Sequence, residues 1–308
     1  MKKTSEKIIY FGSGDLAAKS LELLSQDFDF EAVITKPKKN DIQKVLPVFD
    51  VAKKLSIPTY FASNKSEVNS LFENNTFKAN IGLLIDFGII ISNQTISKFK
   101  FGIVNSHFSI LPQWRGPDPI TYTILSGQHS AGVSLMKIVE KMDEGPLLSY
   151  REININDTIT NEELADKLIH LSHNLINDTL PDYIDGKIEL INQSLTGKIL
   201  SYSKIIKKSD GTVDFNKTAQ DIERQIRAFS TWPKTRFNID GVDVIITKAY
   251  VLNRQGNPGD FFITDDSYIG FCCLENSLII EEMLPAGRKK MSSKNYLIGH
   301  PSLFEKLR

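Results

Sequence analysis

Cysteine is nearly absent: of 308 residues only Cys272 and Cys273 carry a thiol, side by side in a Phe-Cys-Cys-Leu run. Neighbouring cysteines are too close for an ordinary disulfide and lack partners for a tetrahedral metal site, which argues against a disulfide-stapled scaffold and fits a reducing cytoplasm. No metal is expected. An excess of one charge is missing too, because 37 basic residues balance 37 acidic ones and leave the net charge silent about nucleic acid. The apolar run near the start, Ile8 to Phe11, is shorter than an export signal requires, and no stretch approaches a membrane span. No membrane partner is expected, and the chain is read as a cytoplasmic monomer. It contains neither an internal repeat nor a low-complexity tract.

The composition that is present, 41% apolar and 24% charged, is that of an ordinary globular protein, and the length exceeds what one core usually supports. Two domains are expected. From Ser201 onward there are 16 basic against 13 acidic residues, and before it 21 against 24. The second part is therefore mildly positive, the sign that suits an RNA-facing domain.

Apolar runs at Ile8–Phe11, Glu31–Thr35, Ile81–Ile85 and Gly102–His107 read as strands, with helices at Leu16–Leu24 and Val48–Leu55 between them. Alternation of this kind predicts an α/β domain, a Rossmann-like, mostly parallel sheet with helices on both faces and its site outside the carboxyl ends of the strands. Thr160-Asn161-Glu162-Glu163 is a capping signature opening a long helix to Tyr183. The polar stretch that follows reads as a connection. After a helix at Ala219–Phe229, short β-type runs punctuated by Gly241, Gly256, Pro258-Gly259 and Asp265-Asp266 predict a small OB-like β-barrel. The expected division is a first domain over 1–188, a linker over 189–203 and a barrel over 204–308.

Gly12-Ser13-Gly14-Asp15-Leu16-Ala17 matches the dinucleotide fingerprint G-x-G-x-x-A after a strand. The acid that should hold a ribose at the end of the second strand is missing, since that strand ends in Thr35-Lys36. The turn is read as structural.

The chemistry is concentrated in Asn105-Ser106-His107-Phe108-Ser109-Ile110-Leu111-Pro112-Gln113-Trp114-Arg115-Gly116. Asn105 and His107 stand two apart at a strand end and so share a face, an amide beside an imidazole. Asp143, in Lys141-Met142-Asp143-Glu144-Gly145, lies in the turn between the runs Val133–Val139 and Pro146–Ile153. Taken singly, each has a plain structural reading: a hydrogen-bonded core histidine, a turn-forming asparagine, a solvated turn aspartate. With Ser-Ile-Leu-Pro and Trp-Arg-Gly following, the pattern resembles the folate-dependent formyltransferases. Lys208-Ser209-Asp210-Gly211-Thr212-Val213-Asp214-Phe215, Ile226 to Pro233 and Leu284 to Met291 resemble the second domain of the methionyl-tRNA formyltransferases.

That resemblance implies transfer of a formyl group from 10-formyltetrahydrofolate, a reduced folate, to the amino group of initiator methionyl-tRNA. Transfer to an amine passes through an oxyanion and needs a donor and a proton carrier. Asn105 supplies an N–H, His107 an imidazole that exchanges protons near neutrality, and Asp143 the carboxylate that orients and supports it. The folate is expected along Ser109, Ile110, Leu111 and Pro112 and against the loop Asp86, Phe87, Gly88, Ile89 and Ile90. The basic loop Lys36, Lys38, Lys39 and Lys44, and the cluster Arg288, Lys289 and Lys290, are the expected RNA contacts. The chain departs from the family in a shorter loop after the second strand, in Asp86-Phe87-Gly88 where Ala-Tyr-Gly is common, and in Gly14-Asp15 where Thr-Pro is common. Two other readings remain: formyl transfer to the amine of a sugar nucleotide, and a non-catalytic RNA-binding relative.

Overall fold

The computed structural model describes residues 4–37 and 46–301. Its contacts divide the chain into one unit of Met1–Pro119, Ser130–Asn154 and Ala165–Lys204, and another of Ile120–His129, Ile155–Leu164 and Ile205–Arg308. In chain order the elements are β1 (Ile8–Phe11), α1 (Asp15–Leu24), β2 (Phe30–Thr35), α2 (Pro47–Lys54), β3 (Thr59–Phe61), α3 (Lys65–Asn74) and β4 (Ile81–Leu84). They continue with α4 (Asn93–Ile96), β5 (Ile103–His107), α5 (Pro119–Leu125), β6 (Ser130–Lys137), β7 (Leu147–Asn154) and α6 (Asn161–Ile184). The remainder are α7 (Ala219–Ala228), β8 (Thr235–Ile239), β9 (Val242–Leu252), β10 (Phe261–Ile263), β11 (Ile269–Cys272), β12 (Ser277–Pro285), β13 (Met291–Ser292) and α8 (Ser293–Ile298). Among the described residues no helix is long and apolar enough to cross a membrane.

The first unit is built on a seven-stranded sheet in the order β3-β2-β1-β4-β5-β6-β7. The strands from β3 to β5 are parallel, and β6 and β7 pair antiparallel. All four residues of β1 are buried, as a central parallel strand requires, and they alternate between two faces. Tyr10 turns to α1, where its hydroxyl donates to the Ala17 carbonyl at 2.7 Å. Phe11 turns the other way, against Phe72 of α3, Phe87 and Phe99. Helices therefore cover both faces. Chain direction around the sheet reverses at β1, whose neighbours are β2 and β4, so the crevice of this topology opens at the carboxyl ends of β1 and β4.

The segment between β2 and β4 holds two elements beyond those expected from the sequence, the three-residue β3 and α3, whose Val68, Leu71 and Phe72 lie at helical spacing on the core side. Asn64 starts α3 by accepting from the Glu67 N–H, while Glu67 accepts from the Ser63 N–H. The expected start of α6 is present as a reciprocal cap, with the Thr160 N–H donating to Glu163 at 2.9 Å and the Glu163 N–H to the Thr160 hydroxyl at 3.4 Å.

The second unit carries an antiparallel six-stranded sheet, ordered β10-β11-β12-β9-β8 with β13 on β12. It is curled into a half-barrel, and register shifts where β12 passes from Ile280 to Met283 mark a bulge of the kind that bends a strand. Ile222 and Ile226 of α7 join Phe237, Val244, Ile269, Phe271 and Leu278 in a single core.

Candidate active site

At the carboxyl end of β5 the period of two puts Asn105 and His107 on one face and Ser106 on the other, where its hydroxyl meets that of Ser172 on α6 at 2.7 Å. Asn105 and His107 are 9% and 7% exposed, and the Asn105 amide makes no side-chain hydrogen bond among the described residues. The His107 ring is held by Trp114: its Nε2 lies 3.0 Å from the Trp114 carbonyl oxygen. A carbonyl only accepts, so Nε2 carries the proton and Nδ1 is the nitrogen left to gain one. Trp114 presents this carbonyl because its backbone is left-handed, at φ +54°.

Nδ1 faces the Asp143 carboxylate at 4.0 Å, beyond hydrogen-bond range. Asp143 reaches it by an indirect route. Lys137 pairs with Val104 and the Ile138 N–H donates to the Ile103 carbonyl, so the β6–β7 connection departs from the amino end of β5. Residues 138–146 run out to His107 and return to Gly145, where any Cβ would collide with the Lys137 carbonyl. Asp143 is fixed at the tip by the Gly116 N–H, which donates to its Oδ2 at 2.7 Å. It is thus Trp114, rather than Asp143, that orients the imidazole.

The segment expected as a linker is part of this construction. The Trp114 N–H donates to the Ser201 hydroxyl at 2.9 Å, the Arg115 N–H to the Ser201 carbonyl, and the Ser203 N–H back to the Arg115 carbonyl. Thr196 donates to the Leu111 carbonyl. Gln193, 4% exposed, donates to the carbonyls of Asp143 and Gly145 and accepts from Arg115. Sequence patterning missed these residues, because serine and glutamine in a polar stretch carry no sign of a distant partner.

The β1 and β4 crevice forms the adjacent wall. The Ser13 N–H and hydroxyl both donate to the Asp86 carbonyl, at 3.0 and 3.1 Å, so the glycine-rich turn is occupied by the Asp86 loop. Lys36, expected among the RNA contacts, points into this wall and donates to the Gly88 carbonyl at 3.2 Å. Lys38, Lys39 and Lys44 lie outside the described residues. Of the expected folate-loop residues, Phe87 belongs to the core and Ile89 packs on it, whereas Ile90 is 54% exposed. The N–H groups of Gly88, Ile89 and Ile90 have no hydrogen-bond partner among the described residues. Ser109, Ile110 and Leu111 are buried, and Ser109 donates to the Gln113 carbonyl. In the second unit Arg288, Lys289 and Lys290 are all exposed, with Lys290 paired to Glu282 at 2.5 Å.

Asp86 has left-handed backbone, at φ +48°, and its carboxylate lies over Gly14, where any Cβ would collide with it. Asp86 as a whole keeps an exposed surface, but its carboxyl is turned onto the glycine-rich turn, and burial there raises it to about 6; the nearby Lys36 ammonium opposes the shift, and Asp118 and Asp15 add to it. The folded chain thus retains a proton that the unfolded chain has already released, and stability declines as pH rises from about 4 through 6. Asp86→Asn should be more stable than the parent above about pH 6 and should show no such gain at pH 4. Thermal midpoints of both proteins from pH 4 to 8 check this, and a pH-independent difference would contradict it.

Comparison with known proteins accords with this geometry. A family model described as Formyl transferase matches residues 6–180, and one described as Formyl transferase, C-terminal domain, matches residues 205–301. A methionyl-tRNA formyltransferase of Listeria monocytogenes is 30% identical over 300 residues, 95% of each chain. One from Staphylococcus epidermidis is 29% identical over 299 residues, 95% of this chain and 96% of its own. Among solved structures, the N-formyltransferase of Helicobacter canadensis, crystallised with folinic acid and dTDP-3-aminofucose, shares the fold with a TM-score of 0.66 at 20% identity, over 89% of this chain and 98% of its own. The chain belongs to the formyl transferase family, on its methionyl-tRNA formyltransferase branch.

Proposed function

We propose that the chain transfers the formyl group of 10-formyltetrahydrofolate to the amino group of methionine on initiator methionyl-tRNA, with Asn105, His107 and Asp143 as the catalytic residues. The observation that carries this reading is the Asn105 amide, without a hydrogen-bond partner among the described residues, beside an imidazole whose Nδ1 faces a carboxylate. The 4.0 Å between Nδ1 and Asp143 admits one amine nitrogen about 2.9 Å from each. His107 takes the ammonium proton on Nδ1, and Asp143 stabilises the imidazolium that results. The amine then attacks the formyl carbon, and the Asn105 N–H donates to the oxygen as it becomes an oxyanion. When the new C–N bond is complete the added nitrogen loses its second proton to water, the oxyanion re-forms the carbonyl as the bond to the folate nitrogen breaks, and His107 gives its proton to that nitrogen. The open N–H groups at Gly88, Ile89 and Ile90 are suited to hold acceptors on the pterin, and Ile90 offers it an apolar surface.

Formylation should appear with methionyl-tRNA and fail with dTDP-linked amino sugars; the reverse pattern would establish the sugar-nucleotide reading instead. On the productive substrate, Asn105→Ala should lower kcat by about 10²- to 10³-fold. His107→Ala should lower it by about 10²- to 10⁴-fold while the protein stays folded. Turnover near that of the parent in folded His107→Ala would sink the mechanism.

We assign the exposed Arg288, Lys289 and Lys290 to phosphate contacts. Neutralising all three should weaken tRNA binding and flatten its salt dependence by up to roughly one unit of slope per contact, with folate binding unchanged. Equal slopes for parent and triple variant would place the RNA elsewhere.

A further inference from the structure

We propose that Gln193 is a positioning residue for Asp143, an inference that rests on the formyl-transfer reading of this site. The residue lies 50 positions beyond Asp143, in a segment whose sequence reads as a connection. Its buried amide uses all four of its hydrogen-bonding valences. Nε2 donates to the Asp143 carbonyl and to the Gly145 carbonyl, each at 2.8 Å. Oε1 accepts twice from Arg115, at 3.1 Å from Nε and 2.7 Å from Nη2. The partners fix the orientation of the amide, since two carbonyls demand donors and a guanidinium demands an acceptor.

No other side chain meets those demands. Glutamate offers no donor to the carbonyls when ionised, methionine offers neither function, and asparagine is one methylene shorter. Gln193 holds both ends of the Asp143-Glu144-Gly145 turn, and Asp143 itself has left-handed backbone at φ +54°. It also anchors Arg115, whose Nη1 stands 3.4 Å from Glu144 and whose chain neighbour Gly116 donates to the Asp143 carboxylate. One side chain therefore clamps the carboxylate's own backbone and the residue next to its N–H donor.

The effect on chemistry follows from distance. The carboxylate and Nδ1 are close enough to share one nitrogen seated beside the line between them, so a shift of the turn by about an ångström removes the carboxylate's support of the imidazolium without touching the folate wall. Gln193→Glu preserves size and the Arg115 contact while removing both donors.

The test is a double-mutant cycle with Gln193→Glu and Asp143→Ala, read by single-turnover formylation of methionyl-tRNA. Gln193→Glu should lower the rate at least tenfold in the parent, leave the KM for the folate donor unchanged, and have little further effect once Asp143 is alanine. A full effect in the Asp143→Ala background would overturn the proposal, as would an unchanged rate in folded Gln193→Glu. Hydrogen exchange at the Gly116 amide gives a readout independent of turnover. It should quicken in Gln193→Glu, and unchanged protection would overturn the clamp even if the parent formylated no acceptor. Absence of any formylation by the parent is the separate failure of the formyl-transfer reading.

Discussion

The site depends on one main-chain carbonyl. Trp114 directs its oxygen at His107 Nε2, which settles the tautomer and leaves Nδ1 to exchange protons. The left-handed conformation that makes this possible is costly for a bulky residue, on the order of 1–3 kcal/mol, and persists where surrounding bonds over-determine it. Here Ser201 and Ser203 bond to the backbone of Trp114 and Arg115 from a segment almost ninety residues later. That segment, a spacer by its polar composition, functions as a brace. His107 is thereby set by the tertiary structure of the whole first unit rather than by its strand alone.

Asp143 depends on the same brace from the opposite side. Its loop starts at the wrong end of β5 and must fold back to reach the imidazole, a path stabilised by Gln193 within the brace and by Gly116 within the Trp-Arg-Gly loop. The other wall follows a different principle. The glycine-rich turn and the Asp86 loop close on each other where β1 and β4 diverge, the location at which α/β sheets generally bind their ligands. A fingerprint that reads locally as a phosphate cradle is consumed by an internal contact with Ser13.

What the sequence reveals and conceals follows from the range of the interactions. Asn105 and His107 could be placed on one face because strand alternation is a nearest-neighbour property, and the Thr160 cap because it spans three residues. The parallel core was legible in the uninterrupted apolar runs of β1 and β4. β3 was not, being three residues long and only partly buried. Phe87 sits in a loop segment by sequence, yet its ring belongs to the core beside Phe11. Gln193 and the two serines are ordinary polar residues whose roles exist only through partners dozens of residues away. The proximity of Asp143 to His107 was implied by family resemblance, while the route that creates it was beyond any local pattern.

The state of the His107 ring is the most direct check of this account. Nitrogen-15 shifts of labelled histidine, with the His107 signals identified by their loss in His107→Ala, report which nitrogen is protonated when the ring is neutral. The account predicts a proton on Nε2 and a bare Nδ1. A neutral ring with its proton on Nδ1 would contradict it.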